Sequence, residues 1–242
     1  MVNKRINLNQ LKTNIFADGA NYKDILILDK NKLIKGYTTN PSLLKKNGVK
    51  DYKKFAKKIL KKIKNKPISF EVIADKLIDI EKQAHEISSW GKNVYVKIPV
   101  TNTKGEFCGP IIKKLSKNGI KLNITAIFTQ RQVNRVIQIL DPKTPSFISI
   151  FSGRIADTGH DPKIIIINTL KKLKKTNTKI IWASPREAFN IIESSRIGCH
   201  IITVTPELLT KFFSLLNKNL EKYSIETVKM FFEDGKKSKL KV

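Results

Sequence analysis

The stretch Asn93 to Thr101 (NVYVKIPVT) reads as a buried strand interrupted by one lysine. Val94, Val96, Ile98 and Val100 are β-branched and Tyr95 is aromatic, types that fit an enclosed pleated surface. An ammonium buried there is costly unless it is paired or gives up its proton. A lysine amine without its proton is a nucleophile towards carbonyl carbon. Lys97 is therefore the candidate Schiff-base nucleophile. Polar residues break other apolar runs in the same way. Asp18 ends NIFAD, Asn40 precedes Pro41, Glu71 lies in PISFEVI, and Asn123 and Thr125 lie in KLNITAIF. Ser149 lies in SFISIF, Ser184 and Arg186 follow IIWA, and Arg154 falls in the segment Ser152 to Asp157, which reads as a loop.

These residue types define a chemistry. Two carboxylates can divide the proton transfers: one at the hydroxyl of the bond being broken, the other in carbinolamine formation and dehydration. Arg154 and Arg186 can clamp a phosphate. Ser184-Pro185-Arg186-Glu187 reads as a helix start, whose backbone N–H groups would add to that clamp. Each residue taken singly has a plainer role. Asp18 could cap a helix, Asn40 could serve a turn, and Glu71 with Lys97 could be an ion pair on adjacent strands. A carboxylate, a lysine and two arginines brought to one place form a reactive site.

Only an architecture that gathers strand ends can bring them together. Strand-like runs lie at 14–18, 33–37, 67–73, 93–101, 121–128, 146–151, 179–183 and 198–204. Helical patterns separate them, with starts at Asn21, near Asp51, at Asp75 as a cap, near Gly109, at the Thr129/Gln132 capping box, at Asp161-Pro162, at Ser184 and at Thr205-Pro206. Such alternation implies parallel strands joined by crossover helices. Eight units within about 200 residues predict a (β/α)8 TIM barrel, in which the C-terminal strand ends share one mouth. An open doubly wound sheet would carry a glycine-rich phosphate turn after its first strand, and Asp18-Gly19-Ala20-Asn21 is not one. The expectation is one barrel domain over 1–242, with 218–242 as a helical tail. Ile225, Val228, Phe231 and Phe232 recur at helical spacing there, so the tail covers the barrel floor or packs on a neighbouring subunit.

Composition narrows the function classes. The net charge is +27, yet 41 of the 47 basic residues are lysine and only six are arginine. The lysines fall on the solvent faces of helices, as in 51–64, and no nucleic-acid-binding motif accompanies them. No specific nucleic-acid partner is expected. No apolar run approaches a membrane span, residues 1–12 lack the apolar centre of a signal peptide, and Cys108 and Cys199 give no disulfide framework. A cytoplasmic protein without membrane association is the expectation. His85, His160 and His200 lack metal-ligand spacing, so no metal is expected, and His200 reads as a packed histidine. Asp157 and Asp161 read as turn and cap residues.

The motifs FADGAN, GYTTNPSLL, ISFEVIAD, NVYVKIPVTNT, LNITAIFT, ISIFSGRIADTG, WASPRE and CHIITVTPELL resemble, in order, the strand-end motifs of the transaldolase family from Ile15 to Phe232. The resemblance implies a class I Schiff-base enzyme of the pentose phosphate pathway. It would move a dihydroxyacetone unit from sedoheptulose 7-phosphate or fructose 6-phosphate to an aldose phosphate, with no cofactor. By the same resemblance Lys97 is the Schiff-base lysine and Asp18 the acid/base at the C4 hydroxyl, while Glu71 and Thr125 handle a catalytic water. Asn40, Asn123 and Ser149 hold the dihydroxyacetone hydroxyls, and Arg154, Ser184 and Arg186 the phosphate. The sibling fructose-6-phosphate aldolases release dihydroxyacetone and carry glutamine at the position of Glu71 and tyrosine at that of Phe151. Glu71 and Phe151, the latter at the substrate, therefore point to transfer. The implied partners are sugar phosphates and further copies of the chain in a homo-oligomer.

Overall fold

In the computed structural model, which describes residues 5–238, the apolar runs form a closed barrel of eight parallel strands in sequence order. The strands are β1 (Asn14–Asp18), β2 (Ile34–Thr38), β3 (Ile68–Glu71), β4 (Val94–Pro99), β5 (Leu122–Ile127), β6 (Ser146–Ile150), β7 (Thr178–Trp182) and β8 (Ile201–Val204). β1 pairs with both β2 and β8, which closes the ring. Around it run α1 (Tyr22–Asp29), α2 (Pro41–Lys46), α3 (Tyr52–Leu60), α4 (Leu77–Ser88), α5 (Gly109–Lys117), α6 (Gln130–Ile137), α7 (Ser152–Asp157), α8 (Pro162–Lys172), α9 (Asn190–Arg196), α10 (Pro206–Leu215) and α11 (Leu220–Lys237). The predicted TIM barrel is therefore the fold.

Two periodicities build the core. Outward strand residues such as Ile68, Phe70, Val96, Ile98, Ile148 and Ile180 are buried against apolar helix faces, for example Ile59 of α3 and Ile112 and Leu115 of α5. Inward residues fill the lumen. Towards the N-terminal strand ends they are aromatic: Tyr95 stacks on Phe147 with ring centroids 4.0 Å apart, and Phe16 meets Phe147 edge-on at 5.8 Å. A Cβ at Gly36 would stand 2.6 Å from the Phe16 ring, so glycine makes the room this plug needs. Towards the C-terminal ends the inward residues turn polar.

Helix starts follow sequence chemistry at Asn21, Asp51, Thr129, Asp161 and Thr205, whose side chains accept from first-turn N–H groups. Four local expectations are corrected. Asp75 does not cap α4. Its carboxylate accepts from the Thr103 N–H and hydroxyl at 2.8 and 2.7 Å, and the helix starts from Lys76 without a side-chain cap. The segment Ser152–Asp157 is the short helix α7, not a loop. Ser184 does not open a helix, since its φ of 58° is left-handed and α9 starts six residues later. There the Asn190 side chain takes the Arg186 and Glu187 N–H groups. Finally α2 is an additional helix, opened by Asn40 accepting from the Leu43 N–H at 2.9 Å, with Pro41 at its first position.

The tail forms α11 through residue 237, and none of its residues is buried. The predicted span 218–242 ends outside the described residues. At the N-terminal face, the Asn217 side chain instead clamps the Ile6 backbone, donating to its carbonyl at 2.8 Å and accepting its N–H at 2.7 Å.

Candidate active site

The mouth at the C-terminal strand ends is a cavity of about 450 Å³. Lys97, Asp18, Glu71, Thr125, Asn40, Ser149, Phe151, Arg154, Ser184 and Arg186 all line it. Asn123 does not. It is fully buried one step below, where its amide N–H donates to Ser69 Oγ at 3.0 Å and its carbonyl accepts from Ser149 Oγ at 2.7 Å. It thereby fixes the Ser149 hydroxyl above it.

Strand register explains the centre. Glu71 stands opposite Lys97 across the β3–β4 ladder, and both point inward. Lys97, a residue only 7% exposed, places its ammonium 3.0 Å from the Glu71 carboxylate and donates to the Thr39 carbonyl at 3.1 Å. The buried charge is thus paired and hydrogen-bonded, which is what makes its burial tolerable. Asp18 comes from β1 on another wall. Its carboxylate accepts from the Thr38 hydroxyl at 2.7 Å, and Thr38 in turn shares a hydrogen bond with Thr203 on β8. Burial raises the Asp18 pKa above its usual 3.8, against the attraction of Lys97 and the Thr38 bond. A carboxylate so placed is a strengthened base.

Thr125 is set by a break in its strand. The β5–β6 register shifts between Ile124 and Ile127, and Ala126 has a φ of 57°. Thr125 Oγ1 is buried with no hydrogen-bond partner among the described residues. Such a hydroxyl costs about 1–3 kcal/mol and is ready for a ligand or water.

The arginine side of the mouth has different supports from those read in the sequence. No helix begins at Pro185, so no helix N-terminus adds donors there. Arg186 is held by Asp157, with its Nε 3.1 and 2.9 Å from the two carboxylate oxygens and a further bond from its terminal nitrogen. Asp157 is thus the partner of Arg186, not a turn residue. The Arg154 guanidinium lies 5.2 Å from the Phe151 ring centre, a cation–π distance. A Cβ at Gly153 would come 1.7 Å from the Ser184 carbonyl oxygen. Only glycine lets α7 and its Arg154 approach the β7 loop that closely. Sequence reading missed Thr38, Thr203 and Asp157. The visible signals were the doubled threonine of GYTTN and an acid three residues after Arg154.

Away from the mouth, His200 Nδ1 accepts the Ile180 N–H at 3.1 Å, as a packed histidine does. Among the described residues no group of three or more His, Cys, Asp or Glu side chains is placed to hold a metal ion, and no helix is long and apolar enough to cross a membrane.

Comparison with known structures supports the fold. The chain superposes on the tryptophan synthase α-subunit of Pyrococcus furiosus with a TM-score of 0.56 at 12% identity, covering 80% of this chain and 87% of that one. A putative phosphonomutase from Burkholderia cenocepacia gives 0.54 at 10% identity, covering 94% and 98%. At such identities only the barrel is shared. Sequence relatives are nearer. A "Probable transaldolase" of Dehalococcoides mccartyi is 35% identical over 81% of this chain and 88% of its own length. Another, from Thermoanaerobacter sp., is 34% identical over 94% of this chain and 99% of its own. Residues 15–242 match the family model described as Transaldolase/Fructose-6-phosphate aldolase. With the barrel, its lysine-centred mouth and these relatives in agreement, the chain belongs to the transaldolase/fructose-6-phosphate aldolase family and is an enzyme of the transferase class.

Proposed function

We propose that this enzyme is a transaldolase. It transfers a dihydroxyacetone unit from a ketose phosphate, sedoheptulose 7-phosphate or fructose 6-phosphate, to an aldose phosphate in the pentose phosphate pathway. The observation that carries the reading is the pairing of Lys97 with Glu71 at 3.0 Å inside a mouth that also holds Asp18 and two arginines.

The steps follow from those groups. Lys97 passes a proton to Glu71, and the neutral amine attacks the ketose C2 carbonyl. The carbinolamine loses water, with Glu71 and Thr125 moving the proton, to leave a protonated imine. Asp18 takes the C4 hydroxyl proton, the C3–C4 bond breaks, and its electron pair enters the imine as an enamine. The aldose phosphate leaves. The acceptor aldose then repeats the step in reverse, its new hydroxyl taking the proton from Asp18, and hydrolysis frees Lys97. Asn40 and Ser149, the latter fixed by Asn123, bind the hydroxyls of the three-carbon unit. Arg154, Ser184 and Arg186 bind the phosphate, and Phe151 backs the substrate.

Phe151 offers no hydroxyl and Glu71 offers a carboxylate, which favours transfer to an acceptor over release of dihydroxyacetone. Incubation with fructose 6-phosphate and erythrose 4-phosphate is expected to yield sedoheptulose 7-phosphate, and Lys97→Ala to abolish it. Free dihydroxyacetone formed faster than the seven-carbon product would establish the aldolase reading instead. We also propose a homo-oligomer, because α11 leaves Leu220, Val228, Phe231 and Phe232 each more than 60% exposed.

A further inference from the structure

The seam between β2 and β3 is broken at the level of the site. Below the break the ladder is regular. Tyr37 pairs with Ile68 and Thr38 with Ser69, and the Thr39 N–H donates to the Ser69 carbonyl at 3.1 Å. In a parallel ladder the next rung would join the Glu71 N–H to the Thr39 carbonyl. That rung is replaced by two side chains. The Glu71 N–H donates to the Tyr52 hydroxyl at 2.8 Å, and the Thr39 carbonyl accepts from Lys97 Nζ at 3.1 Å. The Tyr52 hydroxyl lies 3.1 Å from the Glu71 carbonyl, to which it donates.

Tyr52 is not a barrel residue. It opens α3, where Asp51 accepts the Lys54 N–H at 2.8 Å. Its ring meets Trp90 and Phe70 edge-on, with centroids 5.4 and 6.1 Å away. The phenol is therefore fixed from outside the sheet. Burial pushes its pKa well above the ordinary tyrosine value, so it keeps the proton it donates.

We infer that Tyr52 is a positioning residue for the chemistry at Lys97: by holding the Glu71 N–H out of the ladder, it leaves the Thr39 carbonyl to orient the lysine nitrogen. The inference rests on the Schiff-base reading of Lys97. A carbonyl only accepts, so it can hold one Nζ–H in the ammonium, in the amine and in the protonated imine, which retains one N–H. The same tyrosine anchors the backbone of Glu71, the proton acceptor. One phenol thus sets the two ends of the 3.0 Å pair.

Removing the hydroxyl leaves the Glu71 N–H buried without its partner, and the missing rung to Thr39 is its nearest replacement. That rung would compete with Lys97 for the carbonyl. Tyr52→Phe keeps the ring contacts, so it is expected to fold with a thermal midpoint near that of wild type. Its kcat, and the rate at which borohydride traps a fructose 6-phosphate adduct on Lys97, should fall about ten- to a hundredfold, with KM changed less than about twofold. The Glu71 amide resonance should shift as its acceptor changes. Equal trapping rates and kcat in variant and wild type would overturn the inference while leaving the Schiff base intact. So would a raised KM with kcat unchanged. No adduct on Lys97 in wild type would overturn the Schiff-base reading and this inference with it. Should Tyr52→Phe fail to fold, 3,5-difluorotyrosine at position 52 keeps ring and hydroxyl but weakens the acceptor. A slower trapping rate is then expected, and an unchanged one would overturn the inference.

Discussion

Asp18 shows how a single residue trades stability for chemistry. The proposed mechanism uses its carboxylate as a base, but burial disfavours its charged form, so its pKa stands above the usual 3.8. A raised carboxyl pKa means the folded state holds the proton more firmly than the unfolded chain does. Its contribution is therefore most favourable below pH 3.8 and is lost as pH rises through the higher folded-state value. Asp18→Asn should accordingly abolish transfer yet raise the thermal midpoint at pH 7 by about 2–4 °C for each 1 kcal/mol recovered. The gain should shrink as the pH is lowered towards 4, which parallel melting curves at pH 7 and pH 4.5 would show. The acid limb of kcat/KM in wild type should likewise lie above the ordinary aspartate range. Arg186 tests the other side of the mouth. Arg186→Ala should cost about 1.5–3 kcal/mol in kcat/KM for phosphorylated donors, the worth of a charged hydrogen bond, and much less for unphosphorylated ketoses. Equal losses for both would remove the phosphate role.

At the scale of elements, the sequence was legible where local chemistry decides and opaque where distant parts decide. The Thr129 capping box and the Asp161-Pro162 start were readable because their partners lie within four residues, and the eight apolar runs because burial imprints a continuous apolar stretch whatever strand lies beside it. Ten of the eleven expected site residues line the mouth: Asp18, Glu71, Lys97, Thr125 and Ser149 because they face inward at strand ends, and Asn40, Phe151, Arg154, Ser184 and Arg186 because they follow those ends directly. Ser184 and Asp75 were misread because each has good cap chemistry, and the contacts that override it come from elsewhere in the chain. Ser184 is forced left-handed beside α7, and Asp75 is claimed by Thr103, 28 residues away. The Arg186–Asp157 pair spans 29 residues and could not be read from spacing. Gly153 marks the tightest of these long-range joints. Gly153→Ala would drive a methyl into the Ser184 carbonyl, forcing α7 and the β7 loop apart. We expect a loss of about 1–3 kcal/mol in stability, by denaturant melts, and a larger loss in kcat/KM for phosphorylated donors than for unphosphorylated ones.

For the molecule as a whole, the net charge is +27, and most of the described lysines are solvent-exposed rather than gathered at the mouth. Its ion pairs are mostly exposed lysine–carboxylate contacts, such as Lys82–Asp79 and Lys46–Glu207, which contribute little. Among the described residues the Lys97–Glu71 pair is the most deeply buried. The helix α11 carries the densest run of exposed large apolar side chains among the described residues. Phe231→Lys with Phe232→Lys should reduce the mass measured by light scattering while leaving the fold intact, and an unchanged mass would show that α11 does not hold copies together. The proposed chemistry requires that Lys97 is the residue that bonds to substrate. Borohydride reduction in the presence of fructose 6-phosphate, followed by peptide mapping, tests this directly. The predicted result is inactivation with one adduct per chain, on Lys97 among the 41 lysines. Inactivation with Lys97 unmodified, or an adduct that persists in Lys97→Ala, would contradict it.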